Sequence, residues 1–183
     1  MEGPIDILCL KIAENLAPVF YSLGHTPNIV TTYSLLSGLA SIYFLYNHNL
    51  LAFIGLNTIS YILDCTDGYM ARRYKMVTKL GDLYDHASDI FVNGLLAFVV
   101  YKLYSWEKIK PFFYIGILLL IGMLFYFGCS QSYHNKGEVS EFLDLCRVLN
   151  YNKDTYKWAR YFSCGTFKLF TVVAISYLEY SKK

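Results

Sequence analysis

Four aspartates, Asp64, Asp67, Asp85 and Asp89, stand among mostly apolar neighbours in this 183-residue chain. Asp64, Asp67, Gly68 and Ala71 fall at i, i+3, i+4 and i+7, so on a helix they share one face, with carboxylates beside two residues of minimal bulk. Gly81, Asp85 and Asp89 fall at i, i+4 and i+8 and line one face of a second helix. Eight residues join the two runs. As antiparallel neighbours, the helices bring the end of one and the start of the other to the same depth, where four carboxylates can converge in one cleft.

Each carboxylate placed inside a bilayer costs about +2.5 to +3.5 kcal/mol on insertion scales, and like charges at close range repel further. Protonation can relieve one or two groups. Acid-only, oxygen-only ligands around a small pocket are what Mg²⁺ or Mn²⁺ prefers. Two such ions about 4 Å apart would neutralise the site and clamp a phosphoryl group for in-line displacement. Gly68 and Ala71 leave room for a diphosphate to approach the backbone, and Arg72 offers a fork of donors for its oxygens. Other polar residues nearby have plainer readings. Asp82 suits a capping or solvated residue in the first turn of its helix, and Arg73, Lys75 and Lys79 suit anchors on the basic side of a membrane. His86 divides evenly between a polar residue packed in a bundle and a ligand beside Asp85. The tyrosines suit interfacial belt and core.

The elements that must position these groups are membrane helices. The chain is 55% hydrophobic and 18% aromatic, and its 16% charged residues fall below the roughly 25% of soluble domains and cluster between apolar runs. Residues 4–23 place Leu8, Ile12, Leu16, Val19 and Leu23 at helical spacing, with Lys11, Glu14 and Asn15 elsewhere on the wheel, which predicts an amphipathic helix lying in the membrane interface. Gly24 and Pro27 break it. Spans of about the ~20 residues needed to cross a bilayer follow near 28–46, 50–72, 81–104, 111–133 and 158–179. Pro111 suits the first turn of the fourth span, and the fifth is apolar except for Lys168. The prediction is an all-α fold, a polytopic membrane bundle of five to six transmembrane helices plus the interfacial helix, forming one domain over 1–183.

Segments 72–79 and 134–160 hold nine of the sixteen basic residues, which predicts that they, and the acidic motif, face the cytoplasm. Lys102, Lys108 and Lys110 oppose that bias. A net charge of +2 without a long basic block argues against a nucleic-acid partner. The five cysteines, Cys9, Cys65, Cys129, Cys146 and Cys164, include no C-x-x-C pair, so neither a disulfide framework nor a zinc site is expected. Glu2, Asp6, Lys11 and Glu14 interrupt the N-terminal run, so no cleavable signal peptide is read there.

The run Asp64-x-x-Asp67-Gly68-x-x-Ala71-Arg72, eight residues, Gly81-x-x-x-Asp85-x-x-x-Asp89 resembles the signature of the CDP-alcohol phosphatidyltransferases at every fixed position. The resemblance covers about residues 28–133, with Thr26-Pro27-Asn28 similar to the usual entry into the first span. It implies that Asp64, Asp67 and Asp85 bind metal. Asp89 would act as general base close to the second metal, and Gly68, Ala71, Arg72 and Gly81 would contact the CDP moiety of the donor. The implied reaction is attack by an acceptor hydroxyl on a phosphorus of a CDP-linked donor, releasing CMP, as in phospholipid biosynthesis. It brings with it a CDP-activated lipid or alcohol donor, a hydroxyl acceptor, membrane lipids and Mg²⁺ or Mn²⁺, and leaves a homodimer open.

Tyr84-Asp85-His86 is similar to the choline and ethanolamine phosphotransferase branch, whose acceptor is diacylglycerol. The short chain is closer to synthases that take a phosphorylated or polyol acceptor, for which Lys136, Arg147 and Arg160 would be anion contacts. Ordinary loop charge is the preferred reading of those three. The rival class is a membrane ion transporter or channel, since intramembrane aspartates also mark ion paths. The small residues on the carboxylate face, the adjacent Arg72 and the lack of an inverted repeat argue against it.

Overall fold

Proline opens the first two helices, where a missing N–H costs nothing because the first turn has no intrahelical acceptor for it. The computed structural model describes residues 3–133 and 157–182. In it α1 spans Pro4–Ser22, α2 Pro27–Tyr46, α3 Leu50–Arg73, α4 Lys79–Leu103 and α5 Trp106–Tyr133; a 3-10 turn, Arg160–Phe162, precedes α6, Cys164–Tyr180. The all-α bundle expected from the sequence is present, with six helices and no strand among the described residues. The residues between α5 and the 3-10 turn, including the expected anion contacts Lys136 and Arg147, lie outside the described ones.

Among the described residues three segments are long and apolar enough to cross a membrane: Pro27–Tyr46, Trp106–Gly128 and Lys157–Tyr180. The chain is an integral membrane protein. Helices α3 and α4, read from the sequence as two further spans, are 24 and 25 residues long. At 1.5 Å per residue each reaches about 36 Å, enough for a hydrocarbon core of roughly 30 Å. They are less uniformly apolar because the carboxylates and flanking basic residues crowd one end of each. Two boundaries differ from expectation. Helix α5 begins at Trp106, where the Ser105 carbonyl accepts from Lys108 N (3.0 Å) and Ile109 N (3.2 Å), so Pro111 lies inside the helix instead of opening it. The last span is broken at Ser163, whose extended backbone (ψ 168°) separates the 3-10 turn from α6.

Three successive turns reverse the chain with one device. Each helix ends in a residue at positive φ, Gly24 (77°), His48 (58°) and Lys75 (56°). The next N–H then reaches back to a carbonyl in the last turn: His25 to Phe20 (3.0 Å), Asn49 to Phe44 (2.9 Å) and Met76 to Ala71 (2.8 Å). The third of these turns joins the two acidic helices.

Small residues let α2, α3 and α4 approach closely, as membrane helices do in the absence of a hydrophobic drive between them. A methyl group on Gly38 of α2 would lie 2.9 Å from Val92 Cγ1 and 3.2 Å from Ser60 Oγ. Ser34 and Ser60 donate to each other's carbonyl at 2.8 and 2.9 Å, which satisfies four polar groups at a buried crossing. Ile42, Leu45, Phe53, Val92, Leu96 and Ile175 form the apolar core of the half remote from the motif. At that far end Glu179 accepts from Tyr104 OH (2.5 Å), with His48 Nδ1 3.0 Å and Lys182 Nζ 3.5 Å from the same oxygen, which ties α6 to the α2–α3 turn and the end of α4. Helix α1 packs Cys9, Ala13 and Ala17 inward and leaves Leu8, Ile12, Val19 and Leu23 outward, the face read from the sequence as its membrane contact.

The left-handed conformation favours glycine, and Lys75 is exposed. Lys75→Gly should stabilise the protein by about 0.5–1 kcal/mol, read as a raised midpoint of thermal unfolding in detergent. An unchanged or lower midpoint would contradict the strain assigned to this turn.

Candidate active site

Asp64 and Asp67 occupy the last turns of α3 and Asp85 the second turn of α4, and the α3–α4 turn brings the two runs face to face. Asp64, Asp67 and Asp85 each present a carboxylate oxygen, all within 4.8 Å of one another. Asp67 is buried, and the other two are half-buried. Asp89 does not belong to that group of three. It stands one turn further along α4, as a further charged neighbour of Asp64.

The start of α4 is fixed by Thr78, whose hydroxyl caps the Gly81 amide at 3.0 Å. A side chain at Gly81 would collide with Asn28 Oδ1 (2.8 Å) and Thr78 Oγ1 (2.9 Å), so the glycine lets α4 enter against the first turn of α2. Tyr84, next to Asp85, shares a 3.1 Å hydrogen bond with Thr32 of α2. Gly68 has a related function one helix away: its missing side chain leaves the space over which the Arg72 guanidinium lies, 3.4 Å from where a Cβ would be. Arg72 is exposed beyond that point.

Each predicted residue therefore has a place. Asp64, Asp67 and Asp85 converge, Asp89 adjoins them, Gly68 and Arg72 are in contact, and Gly81 seats the second acidic helix; Ala71 is half-buried one turn beyond Asp67 and Gly68. Asp82 lies in the first turn of α4, as expected, with His86 Nδ1 3.7 Å from its carboxylate. His86 Nδ1 is also 2.8 Å from the Asp82 carbonyl and 4.0 Å from Asp85 Oδ2, which makes it a neighbour of the cluster and places it outside the set of three ligands. Arg160 turns its guanidinium to Tyr161 (3.2 Å to the hydroxyl).

The sequence alone missed three neighbours. Thr31 of α2 is a polar neighbour of the Asp67 carboxylate, and its Oγ1 donates to the Pro27 carbonyl at 3.1 Å. Lys168 of α6 is a charged neighbour of both Asp64 and Asp89, and it donates to Asn93 Oδ1 at 3.2 Å. Asn93 in turn donates to the Asp89 carbonyl at 2.7 Å. A lone lysine in an apolar span carried a signal, because an intramembrane charge is a functional candidate by default. Thr31 and Asn93 carried none, since their roles arise only from packing.

Asp67 Oδ2 and Asp85 Oδ1 are buried with no hydrogen-bond partner among the described residues. A buried carboxylate oxygen without a donor is costly, and three such groups at this range repel one another. Hard oxygen donors gathered from two helices are the set a small dication takes, so the residues present fit a divalent metal.

A family model described as CDP-alcohol phosphatidyltransferase matches residues 24–140, more than half of the chain and the whole of the acidic motif. An uncharacterized protein of Aquifex aeolicus (strain VF5) is 34% identical over 86 residues, which cover 46% of this chain and 43% of that protein. The chain thus spans less than half the length of this curated relative. No solved structure matches.

Mutual repulsion within the cluster gives Asp67→Asn a two-sided outcome. In EDTA the variant should melt higher than the wild type, by the equivalent of about 1–3 kcal/mol, because a buried charge is removed. Addition of Mn²⁺ should raise the wild-type melting temperature and shift the variant far less. Equal Mn²⁺ shifts in the two proteins would remove Asp67 from the ligand set.

Proposed function

The chain belongs to the CDP-alcohol phosphatidyltransferase family, and from that premise we propose that it transfers a phosphatidyl or phospho-alcohol group from a CDP-linked donor to an acceptor hydroxyl, releasing CMP. The observation that carries the reading is the convergence of Asp64, Asp67 and Asp85 from two helices within the matched region. Asp64, Asp67 and Asp85, with Asp89 adjoining, would hold Mg²⁺ or Mn²⁺. Bound there, the cations neutralise the carboxylates and stabilise charge on the departing phosphate.

The chain's own groups divide the remaining work. Gly68 and Ala71 keep the α3 face low, so that the donor's diphosphate approaches the backbone, and the Arg72 guanidinium offers it paired donors. Gly81 keeps the start of α4 against α2 and so holds the second wall of the same cleft. Asp89 lies outside the group of three oxygens, next to the apolar run Ile90-Phe91-Val92. It takes the proton of the acceptor hydroxyl as the oxygen–phosphorus bond forms and the bond to CMP breaks. No covalent enzyme intermediate is needed. The basic residues around 72–79 support an active site on the cytoplasmic side, where a water-soluble CDP group is available.

The test is incubation of the purified protein with Mn²⁺ and candidate CDP donors and acceptors, with CMP as the readout. CMP release that disappears in EDTA is the expected result, and ion flux in vesicles without CMP release would favour the transporter reading. Asp89→Asn should leave donor affinity in Mn²⁺ largely intact while lowering turnover by about 10² or more, the range for a lost general base. Abolished donor binding with near-normal turnover at saturation would leave Asp89 only a ligand's role.

A further inference from the structure

Asp6 is a buried carboxylate on the interfacial helix, far in sequence from the acidic motif. Its Oδ1 accepts two hydrogen bonds, one from the hydroxyl of buried Tyr61 on α3 and one from the Gly165 amide at the start of α6, at 3.0 Å. Each partner stands three residues before a charged group of the candidate site. Tyr61 precedes Asp64 and Gly165 precedes Lys168, and at that spacing residues lie on one face of a helix. Lys168 is a charged neighbour of Asp64 and Asp89. A single carboxylate therefore sets the relative register of the helix that carries the first aspartate and the helix that carries the lysine.

The surroundings are built for this contact. A side chain at Gly165 would meet Asp6 Oδ1 at 2.9 Å and Ile5 Cγ2 at 2.8 Å, so only glycine admits the first turn of α1 to the start of α6. Ser163, immediately before α6, is 1% exposed and extended, and two residues on the Gly165 amide meets the carboxylate. A negative group at a helix N-terminus is favoured by its free N–H groups and dipole. Burying a charge there is costly compared with the small residues Cys9, Ala13 and Ala17 that serve the rest of the same face. Directional hydrogen bonds fix register in a way that apolar packing does not.

We propose that Asp6 is a positioning residue for the metal site, acting through Tyr61 and Gly165 to hold Asp64 and Lys168 in their mutual geometry. The inference rests on the metal-dependent reading above. It makes the seating of the interfacial helix a condition for a competent site, although α1 contributes no ligand.

The test measures Mn²⁺ binding to the purified full chain, from the loss of the free-ion electron paramagnetic resonance signal, beside a melting curve. Asp6→Asn and Tyr61→Phe should each weaken Mn²⁺ binding by about tenfold or more, the range for losing an outer-shell partner, at little-changed melting temperature. The double variant should be no weaker than the worse single one, since both remove the same link. Ile12→Ala, on the outward face of α1, should bind as the wild type does. Should Asp6→Asn fail to fold, Tyr61→Phe decides, because it keeps the ring and loses only the hydroxyl. Wild-type affinity in both single variants overturns the positioning role alone. A wild-type protein that leaves the Mn²⁺ signal untouched overturns the metal reading and the positioning role with it.

Discussion

The repulsion among Asp64, Asp67, Asp85 and Asp89 is the constraint on which the rest of the structure depends. Carboxylates within 4.8 Å of one another do not gather unless the backbone forces them together, and here two helix ends and one tight turn do so. The turn itself is strained at Lys75. Lys168 brings a compensating charge from the opposite end of the sequence. The same charges keep α3 and α4 from reading as simple spans, while the more apolar stretches Pro27–Tyr46 and Trp106–Gly128 do so plainly. Site and anchor are thus distributed over different helices.

A cluster that opposes its own assembly has to be held from elsewhere. The apolar core around Phe53, Leu45 and Ile175 occupies the other half of the bundle, and the Ser34–Ser60 pair with Gly38 locks the crossing between the two halves. Beyond that core, Glu179 gathers Tyr104, His48 and Lys182 and fixes the far end of α6. With Asp6 fixing the near end, α6 is bonded at both termini, and Lys168 lies between them. Helix α5 differs in kind. Leu118, Ile121 and Leu124 are exposed along its length, and its contacts with α6 run through rings such as Phe112 against Phe170.

How far the sequence carried this picture follows from the range of the forces involved. The three- and four-residue recurrence of Asp64, Asp67, Asp85 and Asp89 is local, and it named both helices; three of the four carboxylates converge, and Asp89 stands one turn beyond them. The ends of α1 to α4 were legible within about two residues, because proline, glycine and polar turns mark them. The reversals themselves were expected, but Lys75 was not legible as the residue at positive φ, since lysine does not prefer that conformation. Pro111 misled for the complementary reason: a proline suits a first turn, yet the Ser105 carbonyl had already opened the helix. Thr31, Asn93 and the link from Asp6 to Tyr61 and Gly165 depend on helices far apart in the chain, and no periodicity encodes them.

The boundaries of the family match sharpen that distinction. Residues 24–140 contain α2 to α5, with every aspartate of the motif, Gly68 beneath Arg72 and the seating glycine Gly81. Helices α1 and α6 fall outside it, yet they are joined directly through Asp6 and Gly165, and α6 sends the compensating lysine to the aspartates. Chemistry shared across a family constrains the ligands closely, because an oxygen displaced by an ångström no longer coordinates. A short carboxylate-to-amide contact joins α1 to α6 here, at a glycine where a side chain would collide with Ile5 and Asp6, so the two helices outside the matched region meet through one closely fitted pair.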